Sequence, residues 1–443
     1  MRLFAPFARA AAALALVSLA LAPRASHAQN PTTPTGVRLG LNYQLGTKPG
    51  VLVLPLDSVG TDSVRAIIQR DLDFDDRATV IQLDDQSVRG MVPPSGDKFN
   101  YPLFAKLGVV AIIRPERSLT GITITMYDVA SKKRVQVGGF SVPDEPNTAA
   151  WRMALHRVSD EIGRWIFGSP GAAATRILFS GGDKQIWVID SDGANPRKLT
   201  SLQLAMSPAW HPDGTRFVFS AFTPRGSQIA VYSFVTHDMH WLTGTPRGLN
   251  ITPVYSPDGK SIAYASGQDR GTDIMVMDAS DVTDDPARRV TVGRGSDNTS
   301  PAYSPDGRQI AFMSGRAGHP EVYTMDADGS NAQMLTDFTY GEAAYRASPD
   351  WSPDGRRIAY QSRINGNFQI MTIDLRDRST KQYTSDGENE DPAWAPDSRH
   401  LVFSSTRSGP RELWVLDVES GRMRQLTKAP GARLAAWSPI LKP

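Results

Sequence analysis

The sequence predicts an α+β two-domain chain: a small N-terminal α/β domain, then a C-terminal six-bladed β-propeller with four-stranded blades. Three observations predict it. A Pro-x-aromatic-Ser-Pro-Asp-Gly unit recurs through the second half of the 443 residues. The stretch before it mixes strand and helix periodicities. The last residues start a unit whose remainder lies near residue 176.

Residues 1–28 read as a cleaved signal peptide. Arg2 and Arg9 precede the 13-residue apolar run Ala10–Ala22, and Ser26-His27-Ala28 offers cleavage between Ala28 and Gln29. At about 1.5 Å per residue that run is too short to cross a bilayer core of about 30 Å, so no membrane insertion is expected. The formal charge of +2 belongs to this leader: without it, 45 basic residues face 46 acidic ones. A phosphate-backbone binder needs a basic face, so nucleic acid is an unfit partner. There is no cysteine, which excludes disulfides, thiolate metal sites and cysteine nucleophiles.

Residues 29–46 hold Pro31, Pro34, Gly36, Gly40 and Gly46 and read as a flexible partner-binding segment. Within them, Val37, Leu39, Leu41 and Tyr43 alternate as a strand does. The α/β domain is placed at 37–168. Val51–Leu54 is a buried-type strand, and Thr61 or Asp62 caps a helix with Val64, Ile67, Ile68 and Leu72 on one face. A short helix over Tyr101–Leu107 precedes the strand Val109–Ile113. A hairpin then pairs Ile122–Tyr127 with Arg134–Phe140. Trp151, Leu155, Val158, Ile162 and Trp165 mark an amphipathic helix that Gly168-Ser169-Pro170-Gly171 ends.

The propeller is placed at 172–443. Its repeated prolines (Pro212, Pro257, Pro305, Pro353, Pro396 and Pro439) are 45, 48, 48, 43 and 43 residues apart. Ser-Pro-Asp-Gly suits a type I turn; strands such as Ile262-Ala263-Tyr264 follow, expected to alternate toward an interior. Units end on pairs such as Leu199-Thr200 and Leu426-Thr427. Residues 176–200 lack a first strand and Ala435–Pro439 supply one, so joining them closes a ring of six and hides the edges.

Catalytic motifs are missing: no Gly-x-Ser-x-Gly, Walker loop, His-Glu-x-x-His or Gly-x-Gly-x-x-Gly occurs. His237 and His240 have no evident third ligand. Asp71-x-Asp73-x-Asp75 carries Asp76 where a calcium loop needs Gly, and reads as a solvated helix end. Lys132-Lys133-Arg134 reads as a solvated hairpin tip, and His156 as a hydrogen-bonding residue at the domain junction. No enzyme activity, cofactor or metal is expected.

The repeats, with Val37–Leu41, Lys48–Pro55, Leu107–Ile113, His156–Ile162 and Ala436–Pro439, resemble the TolB family of the periplasmic Tol-Pal system. The resemblance implies a monomeric, non-enzymatic periplasmic adaptor that binds the lipoprotein Pal through its propeller and TolA through its mature N-terminus. It implies support of outer-membrane integrity and of invagination during division. Carried over for TolA are Val37, Arg38, Leu39, Gly40, Leu41, Asn42 and Tyr43. For Pal, the loops before the first strands match: Leu249, Asn250 and Thr252, then Asn298, Thr299 and Ser300. Better-known members carry a histidine at the place of Leu249 and an acid at that of Ser300; Arg346, Glu390 and Asp391 are read as supplying the missing polarity. The alternatives are a secreted peptide- or carbohydrate-binding propeller and a peptidase-associated propeller.

Overall fold

Val51, Leu52 and Val53 have no solvent-exposed surface, and a strand buried on both faces belongs inside a covered sheet. The computed structural model places them so. It describes residues 47–56, 63–92, 98–224, 226–243, 248–267, 271–280, 287–291, 296–337, 344–428 and 430–441. The signal peptide with its cleavage site at Ala28 and Gln29, the segment Val37–Tyr43 and the helix cap at 61–62 lie outside the described residues.

The elements run β1 (Gly50–Val53), α1 (Ser63–Asp75), β2 (Thr79–Val80), α2 (Asp85–Met91), α3 (Tyr101–Lys106), β3 (Val109–Ser118), β4 (Gly121–Asp128), β5 (Lys133–Ser141) and α4 (Ala149–Phe167). They make one mixed sheet of order β2-β1-β3-β4-β5. β1 is parallel to β2 and β3, whereas β3, β4 and β5 are antiparallel. Val64, Ile67, Ile68 and Leu72 of α1 join Leu155, Val158 and Ile162 of α4 on one sheet face. Phe99, Tyr101 and Phe104 cover the other. Thr148 caps α4 by accepting the Trp151 N–H at 3.2 Å, and Gly168, at φ 80°, ends it.

Six four-stranded sheets follow among the described residues. Blades 2 to 6 begin with inner strands Leu204–Trp210, Leu249–Tyr255, Asn298–Tyr303, Arg346–Trp351 and Asn389–Trp394. Blade 1 borrows its inner strand from the chain end. Arg433–Trp437 pairs antiparallel with Arg176–Ser180, Ala436 opposite Leu178 and Trp437 opposite Ile177. The Trp437 indole N–H donates to Thr175 Oγ1 at 2.8 Å. The expected ring closure is what the fold contains.

The second strands do not alternate between core and solvent as expected: Ile262, Ala263, Tyr264 and Ala265 are all buried. Their two faces pack against two different neighbours. Ile262 and Tyr264 join Val218 and Val231 of blade 2, while Ala263 and Ala265 join Ile310 and Phe312 of blade 4. Turn chemistry is as read: Gly259 lies at φ 72°, and its N–H reaches Ser256 O at 2.8 Å. In the copy lacking glycine, Ser398 takes that conformation at φ 58°. The terminal threonines clamp each blade shut. Thr200, Thr243, Thr291, Thr336, Thr384 and Thr427 accept the N–H of Ile186, Ile229, Ile274, Val322, Ile370 and Leu413 through Oγ1, at 2.8 to 3.2 Å.

Candidate partner-binding face

Antiparallel order fixes which groups share an end of the propeller. The start of each inner strand lies with the turn between strands two and three; the Pro-Asp-Gly turn lies at the other end, with the turn between strands three and four. We call the first end the mouth.

Each inner strand carries one residue in the left-handed region near the mouth: Ser207 (φ 52°), Thr252 (50°), Ser300 (53°), Ser348 (50°), Asp391 (54°) and Leu434 (52°). The ladder slips at each of these points, as a bulge requires. Such a φ is unusual for any residue with a Cβ and most so for a β-branched one such as Thr252. Six equivalent bulges around one channel make a ring, tied blade to blade in places. The Ser300 N–H donates to Thr252 Oγ1 at 3.1 Å, and the Thr252 N–H to Ser220 Oγ at 3.1 Å. The Asp391 N–H donates to Gln361 Oε1 at 2.8 Å, and the Ser348 hydroxyl to Asp391 Oδ1 at 3.1 Å.

The residues singled out for Pal fall together at the mouth, on the inner strands of blades 3 to 6. One correction is needed: they lie within those strands rather than in loops before them, because the bulge lets pairing resume on its mouth side. Thr252, Ser300 and Asp391 hold the ring position itself. Asn250 and Asn298 stand two residues earlier, are buried and are spent internally. The Asn250 amide donates to Ser227 O at 2.9 Å and accepts from the Ser266 hydroxyl at 2.8 Å. Asn298 does the same with Thr272 O at 3.0 Å and the Ser314 hydroxyl at 2.7 Å. Leu249, Thr299 and Ser300 are half-buried.

In blade 5 Arg346 occupies the asparagine position. It reaches back to the fully buried Glu321 Oε1 at 2.7 Å and to Asp337 O at 2.9 Å, a charged contact where blades 3, 4 and 6 place an asparagine. Glu390 is paired with Arg411. Burial pushes the Asp391 carboxyl above the usual carboxylate range, against the pull of the Ser348 hydroxyl and of Arg433.

Sequence reading missed Arg316 and Arg407. Each lies 18 residues after its blade's asparagine, donates to that asparagine's Oδ1 (3.2 and 2.9 Å) and lies over two aromatic rings, Phe312 and Tyr323 or Phe403 and Trp414. The matching Ser-x-Arg spacing in Ser314-Gly315-Arg316 and Ser405-Thr406-Arg407 was the available signal.

At the opposite end the α/β part is fastened to blades 1 and 6. Asp192 pairs with both Arg70 and Arg152. His156, fully buried, meets Asp71 Oδ2 through Nδ1 at 2.7 Å, its Nε2 lying 3.6 Å from Asp192. Burial alone would lower the His156 pKa, but Asp71 and Asp192 together raise it above 6.5. Arg422 holds Asp73 at 2.8 Å, and the Arg424 guanidinium sits 3.8 Å from the centre of the Phe74 ring. The Asp71–Asp75 helix end is thus a docking seam, not a solvated end. Burial pushes the Asp160 carboxyl up to about 7 although it accepts the Ala173 and Ala174 N–H groups at 2.8 Å. A pocket of about 30 Å³ remains between Asp75, Asp160, His400 and Arg424, room for waters rather than a substrate. Among the described residues, no His, Asp and Glu side chains converge as a metal site needs, and no helix is long and apolar enough to cross a membrane.

Fold and repeat define the class: a closed six-bladed propeller of tandem Ser-Pro-Asp-Gly units with an α/β sheet fastened to one end. The TolB beta propeller domain model matches residues 165–441, and the chain belongs to the TolB β-propeller family. It is 32% identical over 214 residues to the Tol-Pal system protein TolB of Methylococcus capsulatus, which covers 45% of this chain and 49% of that one. To the protein of the same name from Anaeromyxobacter sp. (strain K) it is 33% identical over 171 residues, 37% and 38% of the two chains. The matched stretch thus spans half the length of these relatives or less. The crystal structure of TolB from Acinetobacter baumannii superposes with a TM-score of 0.75 at 23% identity, over 89% of this chain and 97% of that one; the fold is shared.

Proposed function

We propose that the protein is a non-enzymatic periplasmic adaptor of the Tol-Pal system, binding the lipoprotein Pal at the propeller mouth and TolA through the mature N-terminus, Gln29–Gly46. In this role it supports outer-membrane integrity and the invagination of that membrane during division. One observation carries the reading: in a chain of the TolB family, Thr252, Ser300 and Asp391 occupy equivalent ring positions at the end of the propeller opposite the one where the described α/β part docks.

A half-buried position beside that ring tests it. Thr299→Trp should weaken binding of the soluble Pal domain at least tenfold, about 1.4 kcal/mol, with the melting temperature little changed; equal affinity would remove Pal from the mouth. Deleting Gln29–Thr35 should cost TolA binding at least the same factor and leave Pal binding intact. If the two sites are coupled, each partner changes the other's affinity by one common factor. Titrating both together measures it.

A further inference from the structure

Every outward sheet edge among the described residues is short, with one exception. The outer strands of the six blades are Arg197–Lys198, Met239–Trp241, Arg288–Arg289, Gln333–Met334, Thr380–Gln382 and Met423–Gln425, each of two or three residues, and β2 has two. β5 has nine. It pairs with β4 from Lys133 to Ser141, and among the described residues its backbone bonds no other strand. Nine residues at about 3.3 Å each expose a row of N–H and C=O groups about 30 Å long. Proteins blunt such edges with charge, proline, bulges or brevity. β5 has charge only at Lys133 and Arg134, beside its one bulge opposite Met126 and Tyr127. From Val135 to Ser141 it has neither charge nor proline, and Val137 is 49% exposed.

Gly138 and Gly139 show which part of this bareness the fold needs. A Cβ on Gly138 would lie 2.9 Å from the Trp165 ring of α4, so packing requires that glycine. A Cβ on Gly139 would meet nothing within 4 Å; packing leaves that position free. The two ends of the edge differ in chemistry. Lys132, Lys133 and Arg134 are exposed at one. At the other, Leu119, fully exposed, tips the β3–β4 turn next to the Gly121–Ser141 pair.

We propose that the outer edge of β5 is a strand-addition site for an extended peptide segment of a partner protein. The segment pairs antiparallel, begins with an apolar residue that lies against Leu119, and ends in carboxylates that face Lys133 and Arg134. Main-chain bonds supply the affinity and the end groups set direction and register. This site is independent of the mouth and of the Tol-Pal reading.

The probe is a synthetic nine-residue peptide, Leu-Thr-Val-Thr-Val-Thr-Val-Asp-Glu, added to the full mature chain and followed by hydrogen–deuterium exchange. Slowed exchange confined to residues 133–141 is expected, with binding weakened at least tenfold by K133E/R134E or by a peptide ending in Lys-Lys. The exchange readout on unmodified protein keeps the test decisive even if the variant folds poorly. Unprotected β5 amides at saturating peptide would overturn the proposal, as would equal binding of the Lys-Lys peptide. A concentration-dependent dimer abolished by Val137→Lys would assign the edge to a second copy. β5 amides already slow in the free chain, and released by deleting residues 29–46, would assign it to the chain's own N-terminus. Either result overturns the proposal.

Discussion

The two ends of the propeller use one repeat for opposite purposes. At the docked end the Asp-x-Asp-Gly-x-Asn turn of blade 1 aims Asp192 at Arg70, Arg152 and His156, and its carboxyl is nearly inaccessible. In blade 4 the same turn leaves Asp328 bonded to Ser330, on the surface. The turn is common; the partner across the gap decides whether it becomes an anchor. At the mouth, polar groups tie neighbouring blades, and Thr252, Thr299 and Ser300 are half-buried among the described residues. Both ends therefore carry fixed charge: at the docked end it joins the α/β part to the propeller, whereas at the mouth the pairs Arg346–Glu321 and Glu390–Arg411 stay within the propeller, beside the ring of hydroxyls and amides.

The largest break affects both ends at once. The strand Arg433–Trp437 gives the mouth Leu434 and gives the docked end Trp437, which lines the pocket beside Asp160. Deleting residues 434–443 strips blade 1 of its inner strand and leaves Arg176–Ser180 unpaired. The truncated protein should lose cooperative melting and precipitate. A soluble product with an unchanged melting temperature would mean that another segment closes the ring.

Next in size is the docked end alone. Asp192→Ala takes from Arg70 and Arg152 the carboxylate they share; both guanidiniums are partly exposed and Arg70 keeps Asp71, so the cost should fall below the roughly 3–5 kcal/mol of a fully buried pair. The loss should appear as release of the α/β part, with rapid proteolysis near Gly168–Gly171, while Pal affinity at the mouth stays as in wild type. Proteolysis at the wild-type rate would show the seam held by apolar contact instead.

A smaller and more selective effect comes from pH. His156 has its pKa raised by Asp71 and Asp192, so the stability it contributes is complete below its ordinary 6.5 and is lost as pH rises through its higher value. Asp160 acts in the same sense. Folded, it keeps its proton to about 7, whereas its ordinary value is 3.8, so stability falls as pH rises across that window. Wild type should melt progressively lower from pH 6 to pH 9, and its advantage over His156→Gln should shrink over the same range. A constant gap would mean that folding leaves the His156 pKa unchanged, and a widening one that the folded imidazole is neutral.

How much of this was legible differs between the halves. Proline, aspartate and glycine at fixed spacing dictate turns, so blade number and ring closure followed from residues alone. The role of His156 was legible as well, because a polar residue on the apolar face of α4 needs a partner. Asp71–Asp75 was misread because the propeller residues that dock on it, Arg422 on Asp73 and Arg424 on Phe74, lie more than 300 residues away. The residues singled out for Pal share one end of the propeller but lie in strands rather than loops. A left-handed bulge at Thr252 or Ser300 has no signature when the residue is not glycine. α2 and β2 went unnoticed because seven and two residues carry too little periodicity.

The smallest effect probes the ring of bulges. Five of its six positions carry Ser, Thr or Asp, and in blade 1 the residue is Leu434, at φ 52°. A left-handed backbone costs an L-residue about 1–2 kcal/mol, and asparagine tolerates it best after glycine. Leu434 is half-buried and belongs to none of the apolar clusters of the blade seams, so replacing it sacrifices little packing. Leu434→Asn should therefore stabilise the protein by about 0.5–1 kcal/mol, read as a slightly higher denaturation midpoint with an unchanged slope. Asp391 accepts the backbone N–H of this residue, not its side chain, so the ring bond survives the change. The same substitution at Thr252 should give no such gain, because there the Oγ1 accepts the Ser300 N–H and its loss leaves that donor unpaired. A destabilised Leu434→Asn would show that the leucine side chain contributes packing at the mouth that outweighs its backbone strain.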